Sequence, residues 1–226
     1  MDRGPTARVM SQREARGFLM EPKWLLWARE LQAMAQTGLA FTKNAYDCQR
    51  YERLRELAAQ KMAEHAGVEA SGVEGLFSEQ VGYATPKVDV RGAVFKEGRV
   101  LLVRERSDEG RWALPGGWAD VNRSPRECVV TEVREEAGLE VKPIKLAAVY
   151  DRSRHPHLPP YSFHIYKMFF ICEIASGVPS PGIETDGVDF FEADKLPELS
   201  VSRVLDYQIA RMFAHAAAPH LPTEFD

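Results

Sequence analysis

The 226-residue chain is expected to form an α/β fold of the α+β type, a mixed β-sheet covered by helices on both faces, with a small helical domain ahead of it. Three observations lead there. Helical patterns fill the first part of the chain, strand patterns take over from Pro86, and a capped, glutamate-rich helix follows a proline–glycine turn between strands.

The first helical pattern begins at Lys23, where Trp24, Trp27, Leu31 and Met34 follow a 3-4-3 spacing, and Gly38 is read as its stop. A second, over residues 44–65, places Tyr51, Leu54, Leu57, Ala58 and Met62 on one face, with Gly67 closing it. Residues 67–82 read as a connection. Two helices in roughly 55 residues bury little surface by themselves, so their apolar stripes must dock on the main domain, on a second copy, or on both. A homodimer is the expectation. Residues 1–22 lack periodicity and read as a flexible tail, 23–80 as a helical N-terminal domain that serves dimerisation, and 84–226 as the main domain.

In the main domain Val88, Val90 and Gly92 alternate with Asp89 and Arg91, and a Lys96-Glu97-Gly98 turn leads to residues 100–103, which predicts a hairpin. Strands are expected at 146–150, 165–174 and 188–191, and a last helix at 202–216. A loop rich in proline and histidine, DRSRHPHLPPYSFH, separates the first two of those strands.

Net charge and cysteine usage bound the partners. The formal charge is -4 with no long basic run, which argues against nucleic acid. Cys48, Cys128 and Cys172 are odd in number without metal-like spacing and point to a reducing compartment. The first residues are polar and arginine-rich without an apolar core, and no stretch has the length of a membrane span; a cytoplasmic protein without a membrane partner is expected.

The chemistry is concentrated in LPGGWADVNRSPRECVVTEVREEAGL, which starts at Leu114 and ends at Leu139. Ser124 suits an N-cap, Pro125 the first helical position, Glu127 the return partner of a capping box, and Gly138 the stop. Between them Glu132, Glu135 and Glu136, at i, i+3 and i+4, project from one face. Such a face is either simply solvated or, because clustered carboxylates repel, built to hold a divalent cation that also takes a substrate phosphate. The preceding glycines let a backbone carbonyl and a phosphate approach the same ion.

These residues resemble the Nudix hydrolases, whose pattern is G-x5-E-x7-R-E-U-x-E-E-x-G-U, with U a bulky aliphatic residue. With its first glycine on Gly117, the pattern matches Glu132, Val133, Glu135, Glu136, Gly138 and Leu139. Two positions depart: Arg123 stands at the early glutamate and Thr131 at the arginine, a pair that in the family braces the loop against the helix. Their joint replacement reads as removal of that brace. The resemblance implies an α/β/α sandwich catalytic domain over 84–226. It implies magnesium, or manganese in its place, held by Glu132, Glu135, Glu136 and the Gly116 carbonyl. It also implies hydrolysis of a diphosphate linkage. A further carboxylate from outside the helix is expected to act as base or extra ligand, Glu184 in the GIETDG loop first and Asp186 second; Glu132 or Glu135 could orient the water instead, so the base stays open. The stretches KWLLWARELQAMAQTGLAF and YERLRELAAQ resemble the helical extension of a Nudix subgroup, which implies a dimer acting on a nucleoside diphosphate linked to another group, ADP-ribose first and CDP-choline second.

Further candidates lie around the helix. Arg104 is placed to reach a phosphate or ribose, or to form a surface ion pair. Lys167 either borders the pocket or is a strand-edge charge. Asp151, Arg152, His155 and His157 select the substrate if their loop caps the site; a zinc reading of His155 and His157 is poor for want of a second ligand pair. Trp118 stacks on a base or, by preference, packs beneath the loop. Two other functions compete: hydrolysis of a free or oxidised nucleoside triphosphate, and a non-catalytic sensor of nucleotide sugars. Arg123 and Thr131 favour the sensor; retention of all three glutamates favours the enzyme.

Overall fold

A computed structural model describes residues 21–66 and 69–226. The expected stop at Gly67 and nearly all of the expected tail lie outside the described residues. The tail's last two positions are structured: Pro22 is the N-cap of the first helix and Glu21 pairs with Arg29.

The helical unit holds α1 (Lys23–Phe41), α2 (Ala45–Ala66) and α3 (Ala70–Ser78). The third helix lies where the sequence reads as a connection. It is short and carries Gly72 and Gly75, which lower helix propensity, but it buries Val73 and Phe77. Gly38 does not stop α1. It is there for packing, because a Cβ would come within 2.5 Å of the Tyr51 ring. The unit's core is Leu25, Ala28, Ala58, Ala59, Met62, Ala63, Val73 and Phe77, and Phe163 from the main domain joins it. The expected stripe of α1 is thus displaced: Leu25, Ala28, Gln32 and Ala35 face inward, leaving Trp27 59% and Met34 51% exposed. Leu57 on α2 is also exposed rather than internal.

The main domain is a seven-stranded mixed sheet in the order β3-β2-β1-β5-β4-β7, with β6 also pairing β2. Its elements are β1 (Lys87–Lys96), β2 (Arg99–Glu105), β3 (Trp112–Ala113), α4 (Pro125–Ala137), β4 (Leu139–Asp151), β5 (Ile165–Gly177), β6 (Thr185–Phe191), α5 (Asp206–Ala217) and β7 (Glu224–Phe225). The expected hairpin forms through Glu97 and Gly98, both at positive φ. Strand β4 is longer than its pattern, because Pro143 sits among register shifts that absorb it. The last helix starts at Asp206 rather than 202, and a short further strand, β7, follows it, its two residues pairing parallel to β4. Cores fill both faces. Val90, Val94, Val129, Val133 and Phe170 pack under α4; Leu102, Leu114, Phe169, Ile209 and Met212 pack under α5. The parallel pairing of β1 with β5 sets Asp89 beside Lys167, and this register builds the site.

Candidate functional site

Helix α4 begins as its sequence dictates. The Ser124 hydroxyl accepts from the Glu127 N–H, the Glu127 carboxylate accepts from the Ser124 N–H, and Pro125 is at the first helical position. Gly138 ends it in the left-handed conformation at φ 69°. Arg123 and Thr131 correct an expectation. The Arg123 guanidinium donates to the Thr131 hydroxyl at 3.1 Å, so a brace between loop and helix persists with its donor and acceptor exchanged.

The glycine turn is strapped along β1. Gly117 O accepts from Val90 N–H and Pro115 O from Gly92 N–H, both at 2.8 Å, and Ala119 N–H donates to Val88 O. Gly116 is the closest approach, at φ 148° with a would-be Cβ 2.0 Å from Val90 O; no other residue fits there. Its N–H donates to Glu136 Oε2 at 2.9 Å, and the Glu132 carboxyl lies against Gly117, 3.0 Å from where a Cβ would be. The loop before β6 docks on the other end of α4: Ser180 N–H donates to Ala137 O, Thr185 Oγ1 to Glu136 O, and Gly182 fits against Glu135 O. That docking carries Glu184 to the site.

Turn, helix and loop enclose a cavity of about 1120 Å³, large enough for a dinucleotide-sized ligand. Its lining brings together Gly116, Trp118, Glu132, Glu135, Glu136, Arg152, Lys167 and Glu184 from the expected set, and adds Asp89, Arg91, Glu105, Asp120, Tyr161 and Arg203. Seven carboxylates face four cationic side chains. Burial raises Glu132 to about 7, with Glu135, Glu184 and Asp89 adding to it against Arg91. Burial likewise raises Glu136 to about 8, helped by Glu105 and Glu132 and opposed by Arg91 and the Gly116 N–H. Glu135 points outward, its side chain 65% exposed.

Lys167 is not a strand-edge charge: it is buried, with Nζ 2.6 Å from Asp89 Oδ1. Asp89 also accepts a two-pronged contact from Arg91 Nε and Nη2, at 2.9 and 2.7 Å. Burial opposes ionisation of Asp89, but Arg91 and Lys167 outweigh it and hold the carboxyl at about 2. Burial pulls Lys167 down to about 8 against the attraction of Asp89. Arg91 acts on Asp89, Glu105 and Glu136 alike, joining the acidic and basic parts of the wall. Glu105, also buried, is raised by burial and paired with Arg203 Nε at 3.2 Å.

Four expectations are corrected. Arg104 donates to Asp186 at 2.6 Å, lies over Trp112 and does not line the cavity, which removes both it and Asp186 from the site. Asp151 caps the turn after β4 by accepting from Ser153 N–H and pairs with His164; it too lies off the lining. His155 contacts Tyr207 and Asp226, while buried His157 is held between Val201 O and Gln208, so neither reaches the substrate space. Trp118 is not packed away: it stands 45% exposed on the rim, 6.1 Å from the Tyr161 ring centroid. Asp89 and Arg91, which sequence reading passed over, did leave a signal, since two charges spaced i, i+2 on one face of a central strand have no solvent to face.

The NUDIX domain family matches residues 85–212, and the family described as a UDP-X-like, N-terminal oligomerisation domain matches residues 22–77. A Bacillus subtilis protein provisionally named ADP-ribose pyrophosphatase YjhB is 44% identical over 207 residues, covering 92% of this chain and 99% of its own length. An ADP-ribose pyrophosphatase of Methanocaldococcus jannaschii is 32% identical over 120 residues, 52% of this chain and 69% of its own. Among solved structures, a UDP-X diphosphatase superposes with a TM-score of 0.57 at 31% identity over 90% of this chain and 98% of that one. A Streptococcus suis ADP-ribose pyrophosphatase gives 0.55 at 35% identity over 63% of this chain and 100% of its own. With its glutamate helix, glycine turn and helical N-terminal unit all matched, the chain belongs to the Nudix hydrolase family and is an enzyme of the pyrophosphatase kind.

Proposed function

We propose that this enzyme hydrolyses the pyrophosphate bond of a nucleoside diphosphate linked to a second group X, giving a nucleoside monophosphate and X-phosphate. ADP-ribose is the first substrate and CDP-choline the second; the likeness to a UDP-X diphosphatase adds UDP-linked groups to the panel. The observation that carries the reading is the composition of one cavity, in which Glu132, Glu135, Glu136 and Glu184 share a wall with Arg91, Arg152, Lys167 and Arg203. With Asp89, Glu105 and Asp120 added, the lining carries seven carboxylates against four cationic side chains, and when these are ionised the acidic excess repels a diphosphate unless metal ions offset it.

Nudix hydrolases generally use divalent metal ions. The donors here fit a hard cation: all are oxygens, and among the described residues no backbone N–H donates to the Gly116 carbonyl. Among the described residues no three such side chains are drawn together; Glu136 is turned to the Gly116 N–H and Glu135 outward. Glu132, Glu135, Glu136 and the Gly116 carbonyl would hold magnesium or manganese, which supplies charge neutralisation at the phosphates and a more acidic water. The chain's own groups do the rest. Arg152 and Lys167 would interact with the phosphates, Trp118 and Tyr161 flank the entrance, and Glu184, which lines the same cavity, would take the proton of the attacking water. Incubation with EDTA abolishes turnover and excess magnesium restores it; turnover that persists in chelator removes the metal from the proposal. Glu184→Gln lowers kcat by about 10²-fold if Glu184 is the base, and an unchanged kcat returns that role to Glu132 or Glu135.

The test of the whole reading is a phosphate-release assay on ADP-ribose, CDP-choline, UDP-sugars and nucleoside triphosphates with and without magnesium. Preference for triphosphates overturns it, and tight binding without turnover favours a sensor. The helical unit is proposed to pair two copies through the outward stripe of Trp27 and Met34 on α1. Trp27→Glu combined with Met34→Glu is expected to halve the mass seen by light scattering; an unchanged mass places the contact elsewhere. Among the described residues no helix is long and apolar enough to cross a membrane.

A further inference from the structure

The segment after β4 that lines the cavity is anchored on the helical unit, not on its own domain alone. Phe163 enters the core of the helical unit beside Phe77. Two residues earlier, the Tyr161 carbonyl accepts from Arg29 of α1 through Nε at 3.0 Å and through Nη2. Arg29 is fixed in turn by both oxygens of Glu21. Glu21 also stands 3.9 Å from Arg152 Nη1, beyond hydrogen-bond reach, so one carboxylate sits between two arginines. All three side chains are nearly buried, at 11%, 7% and 5% exposure for Arg29, Glu21 and Arg152.

Arg152 itself is half satisfied. Nη2 donates to Pro159 O at 2.8 Å and the guanidinium lies over the Tyr161 ring, but among the described residues buried Nη1 has no hydrogen-bond partner. A buried charged donor without a partner is costly. The residue itself lines the substrate cavity, with Tyr161 and Pro159 beside it, so its charge stands close to any bound anion.

Building on the proposed pyrophosphatase function, we infer that Glu21 and Arg29 are positioning residues for substrate recognition: they hold residues 152–164 so that Arg152 keeps its place on the cavity wall and its guanidinium charge acts on an anionic oxygen of the nucleoside diphosphate-X. The helical unit therefore shapes the substrate site as well as any contact between copies. Glu21 screens Arg152 from Arg29, and Arg29 fixes the carbonyl of the residue whose ring lies beneath Arg152. Neither touches the glutamate helix, so their loss weakens binding and spares the chemical step.

The test is steady-state kinetics on the best substrate of the panel for the full chain and for Arg29→Ala, Glu21→Gln, Arg152→Ala and Arg29→Ala/Arg152→Ala. Arg29→Ala and Glu21→Gln are expected to raise KM about tenfold, the loss that goes with one charge-assisted hydrogen bond, with kcat and the magnesium dependence little changed. The double variant is expected to be no worse than Arg152→Ala, because Arg29 acts through Arg152. Arg29→Lys, which keeps the charge and one donor, recovers part of the loss. An unchanged KM in both Arg29→Ala and Glu21→Gln overturns the inference, as does additivity of Arg29→Ala with Arg152→Ala. Should Arg29→Ala not fold, Glu21→Gln, which keeps the volume, decides. Failure of the unaltered protein to turn over any diphosphate removes the functional reading and this inference with it; turnover with an indifferent Arg29 removes the inference alone.

Discussion

Glu136→Gln is expected to cost on the order of 10³-fold in kcat, comparable to removing a charge-stabilising group from a preorganised site, while leaving the fold intact. Glutamine keeps the size and an oxygen that accepts from the Gly116 N–H, so the turn stays strapped to the helix. It cannot supply an anionic ligand. The change separates function from stability, because burial raises the Glu136 carboxyl to about 8, with Arg91 opposing and Glu105 and Glu132 assisting. A carboxyl whose folded pKa is raised holds its proton in the folded chain after the unfolded chain has released it. Stability therefore falls as pH rises between the ordinary carboxylate range and about 8. In chelator at pH 8 the variant should melt higher than the unaltered protein. Added magnesium should raise the melting temperature of the unaltered protein and leave the variant's almost unmoved, since only a species bound by the folded state stabilises it. Turnover within about tenfold of the unaltered enzyme, a loss too small for a metal ligand, would sink the assignment.

The divide between what the sequence showed and what it hid follows the range of the interactions. The cap of α4, its Gly138 stop and the glutamate face depend on neighbours within one turn, so spacing alone exposes them. The brace between Arg123 and Thr131 is equally local, yet identity by identity it reads as lost; only geometry shows that a guanidinium and a hydroxyl span the same gap. The rest of the site is long-range. Asp89 and Lys167 are 78 positions apart and meet because β1 and β5 pair in parallel. Alternation in β1 sets Asp89 and Arg91 on one face without saying whether that face is wet; both are buried because β1 lies inside the sheet between β2 and β5. Arg104 and Asp186 err in the other direction: each lies near the right segment in sequence, and the pairing of β2 with β6 joins them to each other instead. In α1 Trp24, Trp27, Leu31 and Met34 defined a stripe, whereas the packed face is built on smaller residues, Ala28 clustering with Ala58 and Ala59 and Ala35 also buried, which leaves Trp27 and Met34 outside.

The largest stability effect is expected at Asp89. Its carboxylate is the shared partner of Arg91 and Lys167, all three side chains at most 8% exposed. Asp89→Ala leaves two buried cations facing each other across a cavity, and removing one member of a buried ion pair costs about 3–5 kcal/mol. In a chain of this size each kcal/mol lowers the melting temperature by roughly 2–4 °C, so a fall of about 6–20 °C is expected by calorimetry. The sign of the pH dependence follows from the folded pKa of Asp89, depressed to about 2 because Arg91 and Lys167 overcome its burial. Its contribution is complete above the unfolded carboxylate pKa and fades as pH falls toward 2, so the variant and the unaltered protein should converge in acid. Lys167→Met added to Asp89→Ala should recover part of the loss, because an apolar side chain of similar length removes one of the stranded charges. If Asp89→Ala melts within a degree or two of the unaltered protein, the trio is screened by water and not the buried network that its distances describe. If the second substitution instead deepens the loss, Lys167 was not the charge left without a partner.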